Sequence, residues 1–424
     1  MTPLDIACVS ALGVITATQV VLVAMFDRIC RLGSDRSRTA TREKRPCLAP
    51  ARIVLCLRGS DPFLTDTIRA AATQDHPDYE LRVIVDSETD PAWGEVHRAI
   101  STASAGCRVA VEALDERPTT ASLKCASLLQ GLRGTEETTA MVALLDADVV
   151  PSPDWLRTLG ETLAEDGCGV ATGNRWYRPP ENSPAAWTRA GWNAGALVQM
   201  VCFGIPWGGT LGLRSDLLET AGLRHKWAAA FCEDTLLPAA LRGHGKRVTF
   251  VPALIAINRE SVTLQALVPW ITRQLLTARL YHPAWPVVAI FGLSAPLAVA
   301  AALAALWLAV GRGDTVAAVA IVAAVALFLV SLPTLFLWIE RIVARSVTPR
   351  QEPASREQTP LASVVWGVCS AQCIYATALV RAMSMRSTSW RGVTYAIDGP
   401  WRIRLLHDAA SLPPAECASG LHSI

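Results

Sequence analysis

The sequence has little charge: only 18% of its 424 residues are Asp, Glu, Lys or Arg, and 51% are hydrophobic. A soluble domain usually carries about 25% charged residues. The deficit is concentrated in four stretches without any charged residue, each near or above the roughly 20 residues that a helix needs to cross a bilayer. These stretches are 6–26, 285–310, 315–339 and 361–380. The composition argues against a purely soluble protein and predicts a multi-pass membrane protein.

The chain also lacks the features of two other classes of protein. Its formal net charge is only +2, so the chain lacks the excess of basic residues that is typical of nucleic-acid-binding proteins. The twelve cysteines include no Cys-x-x-Cys pair, and Cys369 and Cys373 lie in the last apolar stretch, where packing explains them best. Reduced cysteines in a cytoplasmic domain fit this pattern, whereas a zinc site or a disulfide framework does not.

Basic residues follow two of the apolar stretches. Seven lie between Arg28 and Arg45, and the second group is Arg341, Arg345, Arg350 and Arg356. By the positive-inside rule both groups are cytoplasmic. We therefore expect a protein of the cell inner (plasma) membrane with its N-terminus outside and its soluble domain in the cytoplasm. A cleaved signal peptide is the alternative for the first stretch, but no basic residue precedes that stretch. We therefore expect an uncleaved anchor over 1–27 and a basic linker over 28–49.

Between residues 50 and 265, short apolar runs alternate with helical patterns. The predicted strands are 51–57, 81–85, 109–111 and 141–145, and the predicted helices are 63–73, 93–101 and 122–132. Such alternation predicts βαβ units and a mainly parallel sheet, an α/β fold. In these folds ligands bind beyond the carboxyl ends of the strands.

Two carboxylates, Asp146 and Asp148, directly follow the apolar run at 141–145. Side chains at i and i+2 at the end of a strand can converge on one hard cation. Mg²⁺ or Mn²⁺ takes oxygen ligands from one or two carboxylates and from substrate phosphates. A solvated turn is the alternative for an isolated Asp-x-Asp, but the buried strand before it favours a metal site.

A second acidic pair, Glu233 and Asp234, opens an apolar helical run. Acidic residues that complement a helix dipole are one interpretation. A carboxylate general base that deprotonates an acceptor hydroxyl is the other. Together with the Asp-x-Asp motif, the pair favours the catalytic interpretation.

These motifs resemble the family-2 glycosyltransferases of GT-A fold, and within them the ceramide glucosyltransferase-like membrane branch. The resemblance covers about 50–285 and, more loosely, the flanking apolar segments. Besides the two acidic motifs, it rests on Leu57-Arg58-Gly59-Ser60-Asp61-Pro62, Gln74-Asp75-His76-Pro77, Val85-Asp86, Lys124-Cys125-Ala126-Ser127-Leu128 and Pro206-Trp207-Gly208-Gly209-Thr210.

The resemblance implies a GT-A domain over 50–265 that performs single-step inverting transfer from a nucleotide sugar, with UDP-sugars as the expected donors. It also implies a Mg²⁺ or Mn²⁺ ion. The implied donor-site residues are Asp86 on the base or ribose, Lys124 near the phosphates, and Asp146 and Asp148 on the diphosphate and metal. The implied acceptor-side residues are Trp207, Gly208, Gly209 and Glu233, with Asp234 as the catalytic base.

One expected motif is incomplete. The family has a (Gln/Arg)-x-x-Arg-Trp sequence after the base, and here 270–274 keeps only the central Arg273, which we expect at the diphosphate. The surrounding segment, 266–284, is amphipathic enough to lie on the membrane surface.

The side of the membrane on which the C-terminal tail, 384–424, lies stays open. Three membrane helices over 285–383 would place the tail outside, whereas Arg381, Arg386 and Arg391 favour the inside. The segment Trp390–Tyr395 resembles one found in bacterial relatives, without an evident chemical role.

An active site at the membrane surface indicates a lipid acceptor of ceramide, hopanoid or other glycolipid type. A processive polysaccharide synthase is the rival enzyme, and the small number of membrane helices weighs against it. A non-catalytic membrane scaffold is a third reading, which the intact acidic residues disfavour.

Overall fold

A computed structural model describes residues 1–40, 48–103, 106–135, 139–347 and 360–409, with the backbone alone at 34–40. Five basic positions used above for orientation lie outside these ranges: Arg42, Lys44, Arg45, Arg350 and Arg356. The end of the expected tail, from 410 onward, also lies outside them.

Helices and strands alternate through the first half of the chain, and long helices follow. The strands are β1 (Ala51–Leu57), β2 (Tyr79–Val85), β3 (Arg108–Ala113), β4 (Met141–Leu145), β5 (Cys168–Tyr177), β6 (Thr210–Arg214), β7 (Arg247–Asn258), β8 (Ser387–Trp390), β9 (Val393–Ile397) and β10 (Ile403–Asp408). The helices are α1 (Pro3–Ala40), α2 (Leu64–Ala72), α3 (Pro91–Thr102), α4 (Leu123–Gly131), α5 (Trp155–Leu163), α6 (Pro184–Phe203), α7 (Asp216–Thr220), α8 (Leu223–Trp227), α9 (Leu237–Leu241), α10 (Leu264–Tyr281), α11 (Trp285–Gly311), α12 (Thr315–Ser346) and α13 (Leu361–Ser384).

The main sheet has the strand order β3-β2-β1-β4-β6-β5-β7 over the described residues. Pairs β1–β2, β1–β4, β2–β3 and β5–β7 are parallel, and β6 runs antiparallel to both of its neighbours. The predicted mainly parallel α/β fold is confirmed, with all four predicted strands present. Because β6 is antiparallel, its first residues lie at the same edge as the carboxyl ends of β1 and β4.

Apolar cores cover both faces of this sheet. On one face, α2, α3 and α5 bury residues such as Ile68, Val96 and Leu159. On the other face, α4, α7 and α8 bury a second set that includes Leu128 and Trp227. Coverage of both faces explains why β1 and β4 are apolar almost throughout.

Helices α1, α11, α12 and α13 are long and apolar enough to cross a membrane, by length and composition. Helix α1 continues to Ala40, and so occupies the first part of the segment 28–49 that was expected to be a linker. Its first turn adjoins the connection between α11 and α12, where the N-terminal ammonium lies 2.8 Å from Asp314 and Arg312 lies 3.0 Å from Asp5. Farther along α1, Phe26 packs on Phe250 of β7, with ring centroids 6.3 Å apart.

Helix α13 differs from the other three, because both of its ends contact the α/β domain. Near its start, Ser363 donates a 2.6 Å hydrogen bond to Asn182, just before α6. Just past its end, Arg279 of α10 donates to the carbonyl of Met385 over 2.9 Å. The first part of α13 therefore runs beside α6, where Ser370 lies 2.7 Å from Thr188, and its last part packs on α10.

The C-terminal strands form a three-stranded antiparallel sheet, in the order β10-β9-β8, that packs on the α4 face of the domain. The backbone N–H of Leu123 donates to the hydroxyl of Tyr395 over 3.0 Å, and the N–H of Leu405 donates to the carbonyl of Thr119 over 2.9 Å. The described start of the expected tail, 384–409, therefore packs on the α/β domain.

Candidate active site

A cleft of about 200 Å³ lies beyond the carboxyl ends of β1 and β4, as expected for a sheet of this type. Most of the residues singled out in the sequence line this cleft. They are Lys124, Asp146, Asp148, Trp207, Glu233, Asp234 and Arg273.

Lys124 connects two of the acidic motifs. Its Nζ lies 2.7 Å from Oδ1 of Asp146 and 2.7 Å from Oε1 of Glu233. Burial acts to lower the pKa of Lys124, but the two carboxylates outweigh burial and raise it well above its usual value. The side chain is therefore a permanent cation between the donor-side and acceptor-side acids.

Asp148 is a carboxylate of the cleft without an ion pair to another described residue. Asn258 of β7 is its hydrogen-bond donor, at a long 3.4 Å. Burial, and then the nearby charge of Asp146, raise the pKa of Asp148 to about 7. A buried anion next to another anion is unfavourable unless a cation neutralises it.

The residues around Asp146 and Asp148 fit a divalent cation. The ammonium of Lys124 pairs with Asp146 and Glu233, whereas Asp148 has no ion pair with another described residue. In the part of the chain that the structure describes, no three acidic, His or Cys side chains converge as a complete metal site. Mg²⁺ characteristically uses one or two carboxylates and completes its shell with phosphates and water.

The loop before β6 positions Asp234. The backbone N–H of Gly208 donates to Oδ2 of Asp234 over 2.9 Å, and the N–H of Thr235 donates to Oδ1 over 2.6 Å. A Cβ on Gly208 would lie 2.1 Å from Oε1 of Glu233, so a side chain at this position would displace the Glu233 carboxylate. Each Asp234 oxygen keeps a further lone pair for a ligand in the cleft.

Glu233 is placed differently from its neighbour. Its side chain is buried with only 3% exposed, and the ion pair to Lys124 engages one oxygen. Burial raises its pKa, and the ammonium of Lys124 acts in the opposite direction. Asp234 is therefore the more accessible member of the pair.

Trp207 and Gly209, expected on the acceptor side, lie against each other at the cleft. The ring of Trp207 is almost buried, and a Cβ on Gly209 would lie 2.2 Å from that ring. The guanidinium of Arg175 stacks on the same ring, 5.3 Å from its centroid, and on Trp270 at 4.9 Å. Sequence reasoning missed Arg175, which lies in no motif, and gave no role to Trp270, although Trp270 opens the 270–274 segment that contains Arg273.

Arg273 lies where an anionic ligand is expected. Its guanidinium stacks over Trp390 of β8 at 5.2 Å, and it makes no hydrogen bond or ion pair with another described residue. Burial, and then the charges of Arg391 and Arg175, lower the pKa of Arg273 to about 9. The positive charges of Arg391 and Arg175 near Arg273 would suit an anionic ligand such as a phosphate.

The C-terminal hairpin supplies two cleft residues, Trp390 and Arg391. Strands β8 and β9 are joined by Arg391 and Gly392, both with positive φ (46° and 77°), as in a two-residue hairpin turn. Nη2 of Arg391 donates to Oδ1 of Asp61 over 2.6 Å. The Arg-Gly pair at the turn was a signal for this hairpin, but nothing in the sequence indicated that it packs at the active site.

Asp86 lies behind the cleft rather than in its lining. It accepts a 2.7 Å hydrogen bond from Nη1 of Arg58, and Arg117 lies 3.0 Å from the same oxygen. Both arginines also pair with Asp408 of β10. In this arrangement Arg58 stands between Asp86 and the cleft, so the structure does not bring Asp86 together with the other predicted donor residues.

The chain matches a family model and several solved structures, while no curated protein is a significant match. The mannosyltransferase PcManGT from Pyrobaculum calidifontis, in complex with GDP-Man and Mn²⁺, is 15% identical. That alignment covers 89% of this chain and 99% of the other, with a TM-score of 0.44. Glucosyl-3-phosphoglycerate synthase from Mycobacterium tuberculosis, in complex with Mg²⁺ and UDP, is 18% identical over 54% of this chain and 78% of the other, with a TM-score of 0.36.

The family model is that of glycosyl transferase family 21, and it matches residues 16–402. The match covers most of the chain, including the first apolar helix from residue 16 onward, the α/β domain and the hairpin at Trp390. It confirms the glycosyltransferase resemblance of the motifs. The chain belongs to glycosyl transferase family 21 and is a glycosyltransferase.

Proposed function

We propose that this glycosyltransferase moves a sugar from a nucleotide-sugar donor, with UDP-sugars as the expected class, to a hydroxyl of a membrane lipid. The observation that carries the lipid assignment is the position of α10. One side of α10 lines the cleft with Trp270, Arg273 and Gln274. Its other side shares an apolar core with α13, where Ile271 and Leu379 are buried.

On the donor side, the positive charges of Arg273 and Lys124 bind the diphosphate of the donor. Asp146 and Asp148 would together hold Mg²⁺ or Mn²⁺, which would neutralise charge on the departing diphosphate. Asp86 acts through Arg58, which it orients toward the nucleotide. The role of Asp86 is thus one of positioning.

On the acceptor side, Asp234 accepts the proton of the lipid hydroxyl. The hydroxyl oxygen then forms a bond to C1 of the sugar as the bond from C1 to the phosphate oxygen breaks, and the electron pair leaves with the nucleoside diphosphate. One displacement inverts the configuration at C1. Gly208 keeps the carboxylate of Asp234 oriented toward the cleft, and Glu233 keeps Lys124 in place.

The proposed orientation places the cleft at the cytoplasmic face of the membrane. Helices α1, α11 and α12 cross the bilayer, and α13 lies beside α6 with both ends near the domain. The N-terminus and the connection between α11 and α12, which contact each other at Asp314 and Asp5, then lie together on the outer side. The cytoplasmic position of the tail agrees with the positive-inside rule, because Arg381 and Arg386 lie close to its start.

Mass spectrometry of lipid extracts tests this proposal. Extracts of cells that carry the gene should contain a lipid heavier by one sugar than its precursor, and cells without the gene should lack that lipid. Identical extracts would overturn the lipid assignment. A sugar polymer in the aqueous fraction, with unchanged lipids, would indicate a processive synthase instead.

A further inference from the structure

Three cavities form a series from the cleft into the membrane helices. The cleft at Asp234 adjoins a second cavity of about 80 Å³, and both are lined by Trp207, Asp234 and Thr277. The second cavity adjoins a third, of about 110 Å³, and both of these are lined by Gln199 and Tyr375.

The third cavity lies among α1, α6, α11, α12 and α13, and its lining is mainly apolar. It is lined by residues 19–23 of α1, in the second half of the apolar stretch 6–26, and by the first part of α11 and the later part of α12. In the proposed orientation these are the cytoplasmic ends of the three crossing helices. The cavity is therefore at the depth of the acyl chains of the cytoplasmic leaflet.

Gln19 of α1 gives this cavity a polar element. The residue lines the cavity, and its Oε1 is buried without a hydrogen-bond partner among the described residues. A buried carbonyl oxygen without a donor is unfavourable, and more so in hydrocarbon. A ligand with a hydroxyl or amide N–H group at this depth would satisfy it.

We infer that the third cavity binds the hydrocarbon part of the acceptor lipid while its hydroxyl reaches Asp234 through the second cavity. This inference rests on the proposed lipid acceptor and adds a binding site to it. The ligand that we infer is a lipid with a polar hydrogen-bond donor near Gln19. The cavity is open beside Gly195, where an added Cβ would meet no atom within 4 Å.

Filling the cavity tests the inference. The enzyme is reconstituted in phosphatidylcholine vesicles doped with increasing amounts of lipid extract from cells that carry the gene, and transfer of radiolabelled sugar to lipid is measured. Gly195→Phe fills the cavity without a backbone clash. The added phenyl ring would exclude two or three methylene groups of the lipid from the cavity. This loss of contact should raise the apparent KM for the extract about tenfold or more.

Gly13→Phe is the matched control. Gly13 is also a helical glycine with no atom within 4 Å of an added Cβ, but it lies on α1 outside the cavity. It should keep the wild-type KM. Gln19→Leu is the second variant, and should raise the apparent KM by about threefold to tenfold through the lost hydrogen bond.

The outcomes separate this inference from the proposed function. If the wild-type enzyme glycosylates no lipid in the extract, the proposed function fails and the cavity assignment with it. If wild-type transfer is present, an unchanged KM in Gly195→Phe overturns the cavity assignment alone. If Gly195→Phe does not fold, an unchanged KM in Gln19→Leu overturns it.

Discussion

Lys124 and Glu233 form an ion pair inside the cleft, with Nζ 2.7 Å from Oε1. The same nitrogen lies 2.7 Å from Asp146, so a single cation connects the proposed metal site to the acidic pair that contains the base. The two motifs are about 90 residues apart in the sequence and meet only in the fold. Their electrostatics are coupled, which makes Lys124 the natural residue for a first test.

Removal of this cation is expected to destabilise the fold as well as the reaction. Lys124→Met leaves Glu233 buried beside Asp146 without a positive partner, at a cost of about 1.5–3 kcal/mol of unfolding free energy. Thermal unfolding in detergent measures the loss. In the Lys124→Met background, Glu233→Gln should recover part of it, because the unpaired charge is then gone. If the effects of the two substitutions on the unfolding free energy were simply additive, the proposed coupling would be contradicted.

Substitution of Asp148 is expected to abolish activity but not to lower stability. Asp148→Asn removes a metal ligand, so transfer should be lost. The same change removes a buried charge that is repelled by Asp146, so the melting temperature in excess chelator at pH 8 should equal or exceed that of the wild type. Transfer that survives both the substitution and the chelator would refute the metal assignment.

The sequence predicted the parts of the site that are local in the chain. Strands β1 and β4 were predicted with their observed ends, because a fully buried strand is an apolar run closed by polar residues. Asp146 and Asp148 follow such a run directly. Trp207 lies near them because it precedes β6, which runs antiparallel to β4 and so starts where β4 ends. Strand β6 was not predicted.

What the sequence did not indicate depends on long-range packing. Arg175 lies within β5, and Arg391 lies more than 200 residues later, yet both line the cleft with Arg273. Asp86 was expected at the nucleotide, but Arg58 and Arg117 lie against it, since the C-terminal sheet brings Asp408 to the same place. No local pattern specifies such contacts.

The orientation in the membrane predicts which positions an impermeant thiol reagent reaches in intact cells. Cys125 and Cys168 are both buried, so their failure to react would report burial and not sidedness. Exposed positions in a cysteine-free background are needed instead. Glu116→Cys on the domain and Ser389→Cys on the C-terminal sheet should react only after lysis, and Thr315→Cys should react in intact cells. Labelling of Ser389→Cys before lysis would show that α13 crosses the membrane.

His282, between α10 and α11, gives a pH-dependent contribution to stability. Burial, with a smaller effect of the charge on Arg242, lowers its pKa from 6.5 to about 4. The unfolded chain therefore takes up a proton between about pH 6.5 and 4 that the folded chain does not, and stability falls as the pH falls through this range. The full loss is on the order of 3 kcal/mol.

Comparison with His282→Asn isolates this contribution. Asn keeps an acceptor for the N–H of Ala284, which donates to Nδ1 of His282 over 3.1 Å, but does not titrate. The melting temperature of the wild type should fall more steeply than that of the variant between pH 6.5 and 4. Parallel curves would show that His282 is not held neutral in the fold.

The role of Asp234 as the base is tested by the initial rate of sugar transfer to lipid in reconstituted vesicles at saturating donor. Asp234→Asn preserves shape and hydrogen bonding but does not accept a proton, so the rate should fall by roughly 10²–10⁴-fold while donor binding is retained. Glu233→Gln should lose less, because Glu233 is buried against Lys124 and only positions it. A wild-type rate in Asp234→Asn, with Glu233→Gln inactive, would contradict the assignment of the base.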